Sequence, residues 1–273
     1  MYCERLVRFF SHQNQLTSSV NYSNLSLSFV RILGVDFFKG TVEEAVEEAR
    51  RGGLVVAPSG PGLANDLPNS EAYRLSLLES EMVLPDSGLL CLWLKVFGHK
   101  SIKRISGLEY LSVFLDSTDL HGSSFWVMPN ESEALANILW LEKKYKFSIE
   151  SASVYLAPTY SPKVFLEDQD LLAKIESGNY KYIFIQLGGG VQERLGLYLR
   201  RHLGKGPTII CTGAALAFLS GQQIRIPRWA DKYYLGWLLR CVSNPFKFIP
   251  RYLSALRLFW LLFRHGKKPY PAQ

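Results

Sequence analysis

Short apolar runs rich in Val, Ile, Phe and Tyr alternate along this chain with longer stretches in which apolar residues recur every three or four positions. The first kind reads as buried strand, the second as amphipathic helix. The opening segment, 1–27, is rich in Ser, Asn and Gln and has no period. It is expected to be flexible, with a short helix near Leu6–Phe10. RILGVDFFKG then reads as a strand or hairpin. TVEEAVEEARRGG reads as a helix, with Thr41 as its cap, Glu44 completing a capping box and Gly52 as its stop. LVVAP (54–58) is a buried strand that enters the Gly/Pro-rich loop SGPG. A helix over 70–81 leads to the short strand MVLPD (82–86). Helices over 107–117 and 131–145 flank the strand SFWVM (124–128), and IESASVYLA is another strand. Helix 166–177 precedes strand 180–190, and helix 191–202 precedes strand 207–215.

Strands that alternate with helices of this length predict βαβ units, hence an α/β fold with a mostly parallel sheet flanked by helices. No internal repeat is visible. In such sheets ligands bind outside the carboxyl ends of the strands. Four loops fall there: SGPG, PDSG, GGGVQE and TGAA.

The C-terminal stretch breaks this rhythm. It is dense in Leu and aromatic residues, with cations every few positions, and Pro245 and Pro250 are expected to divide it into short helices. On a wheel from Arg251 to Arg264, Arg251, Ser254, Arg257 and Arg264 share one stripe, and apolar side chains cover more than half of the circumference. That pattern suits an anionic membrane surface; packing on the protein's own body is the alternative. Charge strengthens the membrane reading. The net charge is +7, yet from Arg225 onward there are 10 Lys or Arg residues against 1 acid, while the rest holds 21 basic and 23 acidic residues. A basic end on a near-neutral body needs an anionic partner. So apolar an end does not resemble a phosphate-tracking patch, so nucleic acid is not expected.

The division expected is therefore a flexible segment 1–27, a core 28–224 that folds by itself, and a basic amphipathic appendage 225–273. At 273 residues, 48% apolar and 20% charged, the chain is long enough for a sizeable core, which excludes a disordered or collagen-like protein. The 4 Cys residues have no zinc spacing, so free thiols in a reducing compartment are expected, with no structural metal. No apolar run reaches the length of a membrane span or forms a signal-peptide core.

Asp86 is the first candidate for chemistry. A carboxylate at the end of a buried strand can act as a base, although P-D-S-G is also good turn chemistry. GGGVQE offers Gly188, Gly189 and Gly190 at a helix N-terminus, where backbone N–H groups suit phosphate. Gln192 can hydrogen-bond a base or sugar hydroxyl, and Glu193 can take a ribose or simply favour the helix dipole.

Five segments, in order, carry a resemblance: LPDSG (84–88), KRISG (103–107), GGGVQE (188–193), TGAALAFLSGQQIRIPRW (212–229) and LGWLLRCVSNPFKFIPRY (235–252). They resemble L-P-D-G, E-R-x-x-G, G-x-P-K-Q-E, G-x-x-F-D-x-x-A-G-x-x-x-R-A-P-x-W and L-E-W-x-x-R-L-x-x-E-P-x-R-x-x-R-Y of the WecG/TagA/CpsF glycosyltransferases, glycosyltransferase family 26. The resemblance implies a Rossmann-like (GT-E-like) core and inverting, metal-independent transfer of a sugar from a UDP-sugar to a polyprenyl-diphosphate-linked saccharide. No cofactor is implied. It assigns Asp86 as base and Arg104 to the donor diphosphate. Arg225, Arg240 and Arg251 match the appendage arginines and are assigned to the acceptor diphosphate. Where the family has T-x-N, this chain has Ala57-Pro58-Ser59, so Ser59 keeps the only hydroxyl for the donor. Gly190-Val191, Leu216-Ala217, Gly236 and Pro129-Asn130 also depart from the family pattern. The expected setting is peripheral, on the cytoplasmic face of the plasma membrane, with self-association left open. The rival expectation is a non-catalytic membrane protein that binds a sugar nucleotide.

Overall fold

The computed structural model describes residues 28–97, 102–161, 165–223 and 236–266. The expectations for 1–27 and for Arg225 lie outside these residues. Along the chain run β1 (Phe29–Ile32), β2 (Val35–Phe38), α1 (Val42–Ala49), β3 (Gly53–Val56), α2 (Glu71–Leu78), β4 (Met82–Val83), α3 (Gly88–Phe97) and α4 (Gly107–Ser117). Then come β5 (Ser124–Met128), α5 (Glu131–Tyr145), β6 (Val154–Leu156), α6 (Gln169–Glu176), β7 (Tyr182–Ile185), α7 (Val191–Leu203), β8 (Thr208–Cys211) and α8 (Ala215–Leu219). Helices α9 (Gly236–Ser243), α10 (Pro245–Ser254) and α11 (Leu256–His265) follow.

The strands form one sheet in the order β1-β2-β4-β3-β8-β7-β5-β6. Among the described residues, only the β1–β2 hairpin is antiparallel. Alternation along each strand feeds two cores. Ile183 and Ile185 face α2, α3, α6, α7 and α11, whereas Tyr182 and Phe184 face α1, α4, α5 and α8. Helices thus cover both faces, which explains the uninterrupted apolar strands. Trp126 stacks on Phe184 with ring centroids 4.2 Å apart. Each large side chain so buried contributes roughly 1.5–3 kcal/mol.

Local signals worked where a side chain could satisfy a helix end. Thr41 Oγ1 accepts from Glu44 N at 3.2 Å and Glu44 Oε2 accepts from Thr41 N at 2.8 Å, forming the expected capping box of α1. Four expectations need correction. SGPG is not an open loop: Ser59 Oγ accepts from Gly62 N at 3.3 Å and the chain winds into a π-helical turn, Gly62–Asp66, that leads to α2. Ser151–Ser153 form a 3₁₀ turn, so β6 keeps only the end of the expected strand. The strand expected over 207–215 stops at Cys211, because Gly213 turns the chain at φ +67°. Pro250 does not break the C-terminal segment. It lies inside α10, Pro245 begins that helix, and the break falls at buried Ala255, so Arg251 and Arg264 belong to different helices.

Helix α11 is part of the body. Leu258, Leu261 and Leu262 are fully buried in the core that contains α3 and α7, and Gly266 O accepts from Leu33 N at 2.8 Å. A chain cut at 224 would expose the part of the core that α11 covers.

Candidate active site at the carboxyl ends of four adjacent strands

The loops expected to carry chemistry leave β4, β3, β8 and β7, which are consecutive neighbours in the sheet. The chain passes from β3 to α2 on one face and from β8 to α8 on the other. Such a reversal opens a crevice between the two strands.

Asp86 stands at this edge. Leu84 N donates to Val56 O at 2.8 Å, which prolongs the β3–β4 pairing, and Asp86 N donates to Leu84 O at 2.9 Å, which turns the chain out of the sheet. Asp86 Oδ1 accepts from Gly107 N, the first residue of α4, at 3.2 Å. A carboxylate at a helix N-terminus is favoured by the helix dipole. Arg104 Nε donates to Asp86 O at 2.6 Å, and an Arg104 terminal nitrogen lies 3.4 Å from Asp86 Oδ1. The carboxylate is thus held from two sides, with its side chain still 24% exposed to an incoming group. Gly107 makes this possible. A Cβ there would come within 3.1 Å of Thr212 O and 3.4 Å of Ala57 Cβ, so glycine lets α4 approach both strand ends without displacing them.

Ser87 caps α3 through Leu90 N at 3.3 Å. The Cys91 thiol behind it is pushed up to about 12 by burial, with the Asp86 charge adding and Arg104 opposing, so it is no nucleophile. Ser59 lies one residue before Gly60, where a Cβ would meet Ser87 Oγ at 3.1 Å and Ala255 Cβ at 3.9 Å. The Ser59 loop, the Asp86 loop and the C-terminal segment therefore converge.

The GGGVQE loop differs from expectation. Its amides are not an open phosphate cradle: Gly190 N donates to Glu193 Oε2 at 2.7 Å, and Val191 N and Gln192 N both donate to Gly188 O at 3.2 Å. Glu193 is turned inward, closing the cap of its own helix and accepting from Gln192 Nε2 at 3.1 Å. Complete burial pushes its carboxyl up to about 7, with the Asp66 charge adding a little and the Gln192 and Gly190 donors opposing. Gln192 Oε1 accepts from Gly213 N at 2.6 Å and so ties the β7 and β8 loops together. Gly190 has φ +89°, and a Cβ there would lie 3.1 Å from Asp66 Oδ2. Nothing lies within 4 Å of a Cβ placed on Gly188, so the loop is open on that side.

Sequence reasoning missed Gln186 and Thr212. They directly follow Ile185 and Cys211, the last residues paired between β7 and β8. Gln186 Oε1 accepts from Leu216 N at 3.3 Å at the start of α8, whereas Gln186 Nε2 and Thr212 Oγ1 are buried without a hydrogen-bond partner. Buried polar atoms without a partner are costly, and a ligand is one way to satisfy them. The available signal was a polar residue ending an apolar strand on the Tyr182–Phe184 side. Of the expected arginines, Arg240 lies on α9 and Arg251 on α10. Among the described residues, no helix is long and apolar enough to cross a membrane.

The sequence profile of the Glycosyl transferase WecG/TagA/CpsF family matches residues 30–271. An N-acetylglucosaminyldiphosphoundecaprenol N-acetyl-beta-D-mannosaminyltransferase from Bacillus spizizenii is 22% identical over 224 residues, covering 80% of this chain and 84% of the relative. A Bacillus subtilis protein of the same name is 24% identical over 206 residues, covering 73% of this chain and 77% of the relative. With nearly the whole described chain matched, the protein belongs to the WecG/TagA/CpsF family of glycosyltransferases.

Proposed function

We infer that this protein is an inverting glycosyltransferase that moves a sugar from a UDP-sugar to a polyprenyl-diphosphate-linked saccharide, working peripherally on the cytoplasmic face of the plasma membrane. The polymer is a surface polysaccharide such as an exopolysaccharide, capsule or teichoic acid. The carrying observation is Asp86, held by Gly107 N and Arg104 beside the crevice between β3 and β8. In this reading Asp86 takes the proton from the acceptor hydroxyl as its oxygen attacks the anomeric carbon, and the bond to UDP breaks on the opposite side. Inversion follows from the single displacement.

The relatives' names support the acceptor class, an N-acetylglucosaminyl-diphosphoundecaprenol, and point to an N-acetylhexosamine as the sugar moved. Gln186 Nε2 and Thr212 Oγ1, at the carboxyl ends of β7 and β8, are suited to donor oxygens. Arg225, Arg240 and Arg251 are assigned to the acceptor diphosphate, where paired guanidinium groups bind phosphate best. The acid-free C-terminal helices hold the enzyme on anionic lipid.

The test is UDP release over a panel of UDP-sugars with N-acetylglucosaminyl-diphosphate-lipid as acceptor. Acceptor-dependent release with one donor, and a product of inverted anomeric configuration by NMR, is the expected result. Release with none of them, while UDP still binds, would establish the rival non-catalytic role.

A further inference from the structure

Helix α3 starts two residues after Asp86 and has the sequence GLLCLWLKVF. Its inner side, Leu90, Cys91 and Leu94, is buried in the core, but Leu92, Val96 and Phe97 are 50%, 61% and 45% exposed. Three exposed apolar side chains within six residues of a core helix are unusual in a monomeric soluble surface. This face continues into α11. Phe97 meets Phe263 with ring centroids 5.0 Å apart and Phe259 at 6.3 Å, and Trp93 meets Phe263 at 6.1 Å. Trp260, Leu256, Phe259 and Phe263 extend the exposed surface on α11.

We propose that α3 and α11 form one bilayer-seating face, so that α3, and not the C-terminal helices alone, contacts the membrane and sets the height of Asp86 above it. This rests on the reading of the acceptor as lipid-linked. Charge selects the occupant. Neither 88–97 nor 236–266 contains an acid, while Lys95, Arg257 and Arg264 stand exposed around the apolar residues. Arg264 lies over the Trp260 ring at 5.0 Å, an arrangement that keeps the cation at the rim of an apolar surface. A two-fold dimer through this face would bring the same cations against each other, whereas an anionic bilayer supplies the missing negative charge and takes the aromatic rings at its interface. Ten helical residues span about 15 Å, so α3 acts as a strut between its aromatic end, among Phe97 and Phe263, and the proposed base at its start.

The experiment uses the full chain and vesicles of phosphatidylglycerol and phosphatidylcholine in equal parts, with no donor or acceptor present. Leu92→Glu with Val96→Glu is expected to weaken vesicle binding about ten-fold or more, because two buried apolar contacts become charges repelled by the surface. Thermal unfolding and transfer to a water-soluble short-chain acceptor should stay at wild-type levels, since both positions face outward. If the double variant unfolds, Val96→Glu alone carries the test. Unchanged vesicle binding by the folded variant would overturn the proposal. So would a wild-type dimer that the variant dissociates while neither protein binds vesicles. Because binding is read without any sugar, a failure of transferase activity would overturn the proposed function and leave this result standing.

Discussion

Glu81 directly precedes the two-residue strand β4 and Asp86 follows three residues after it, and the two acids live in opposite worlds. Glu81, just before it, accepts from Leu54 N at 2.7 Å and from Arg200 at 2.6 Å and 3.1 Å, with Lys205 3.8 Å away. Burial pushes its carboxyl up, but Arg200 and the Leu54 amide outweigh that and hold it below the usual range. Asp86, three residues past it, also has an arginine, 3.4 Å from its carboxylate and donating to its backbone carbonyl at 2.6 Å. Gly107, whose N–H donates to Asp86, abuts Thr212, and at the same edge of the sheet Gln186 Nε2 and Thr212 Oγ1 have no partner. The same residue types thus brace the sheet at its amino edge and leave it chemically unfinished at its carboxyl edge. In a parallel sheet, helix N-termini gather at the carboxyl edge, which is why the unfinished polar groups are there.

The contrast can be broken hardest at Asp86. Asp86→Asn is expected to lower kcat by ~10²-fold or more while barely changing the melting temperature, the range of a lost general base. Steady-state kinetics beside calorimetry checks both halves, and wild-type turnover would remove Asp86 from the mechanism. Next comes pH. Glu193 is raised above its unfolded value, so its contribution to stability is complete below about 4.5 and is lost as pH rises through about 7. The loss is on the order of 3 kcal/mol, and Glu193→Gln should flatten the melting curve over that window. Glu81 has the opposite sign, since its stabilisation is present above about 4.5 and is lost in acid below it. A smaller effect follows at Glu81 itself. Glu81→Gln should cost about 2 kcal/mol of stability, the worth of charge-assisted bonds, with kcat unchanged. The finest probe is Thr212→Val. Removing a hydroxyl without a protein partner should leave stability equal or higher, while the donor KM rises ~10-fold if a ligand hydrogen bond is lost.

Much of the fold was legible because it rests on local rules. The Thr41–Glu44 capping box, the largely apolar β5 and β7, and the periodic α4 and α5 all announce themselves in sequence. Helix α3 did not, because a nearly all-apolar decapeptide has no polar face to mark its period. Asp86 and Arg104 could be picked out by their motifs, but their mutual hydrogen bonding joins positions 18 residues apart and needs the fold. Gln192 and Glu193 look like ligand residues in a Gly-rich loop. Only the tertiary structure shows their side chains spent on Gly190 and Gly213, which no spacing rule encodes. Gln186 and Thr212 stayed hidden for the converse reason, since an unmet hydrogen bond is invisible until every neighbour is in place.

The bond from Leu33 N to Gly266 O, together with the three buried leucines of α11, joins the first hairpin to the last helix. During synthesis the part of the core that α11 covers must therefore wait until α11 has left the ribosome. The segment that finally closes it is also the one richest in exposed aromatic residues, so the last step of folding and the first encounter with a lipid surface fall to the same stretch of chain. A newborn molecule is then most adhesive at the moment when a bilayer, rather than another unfinished copy, is the surface it should meet first.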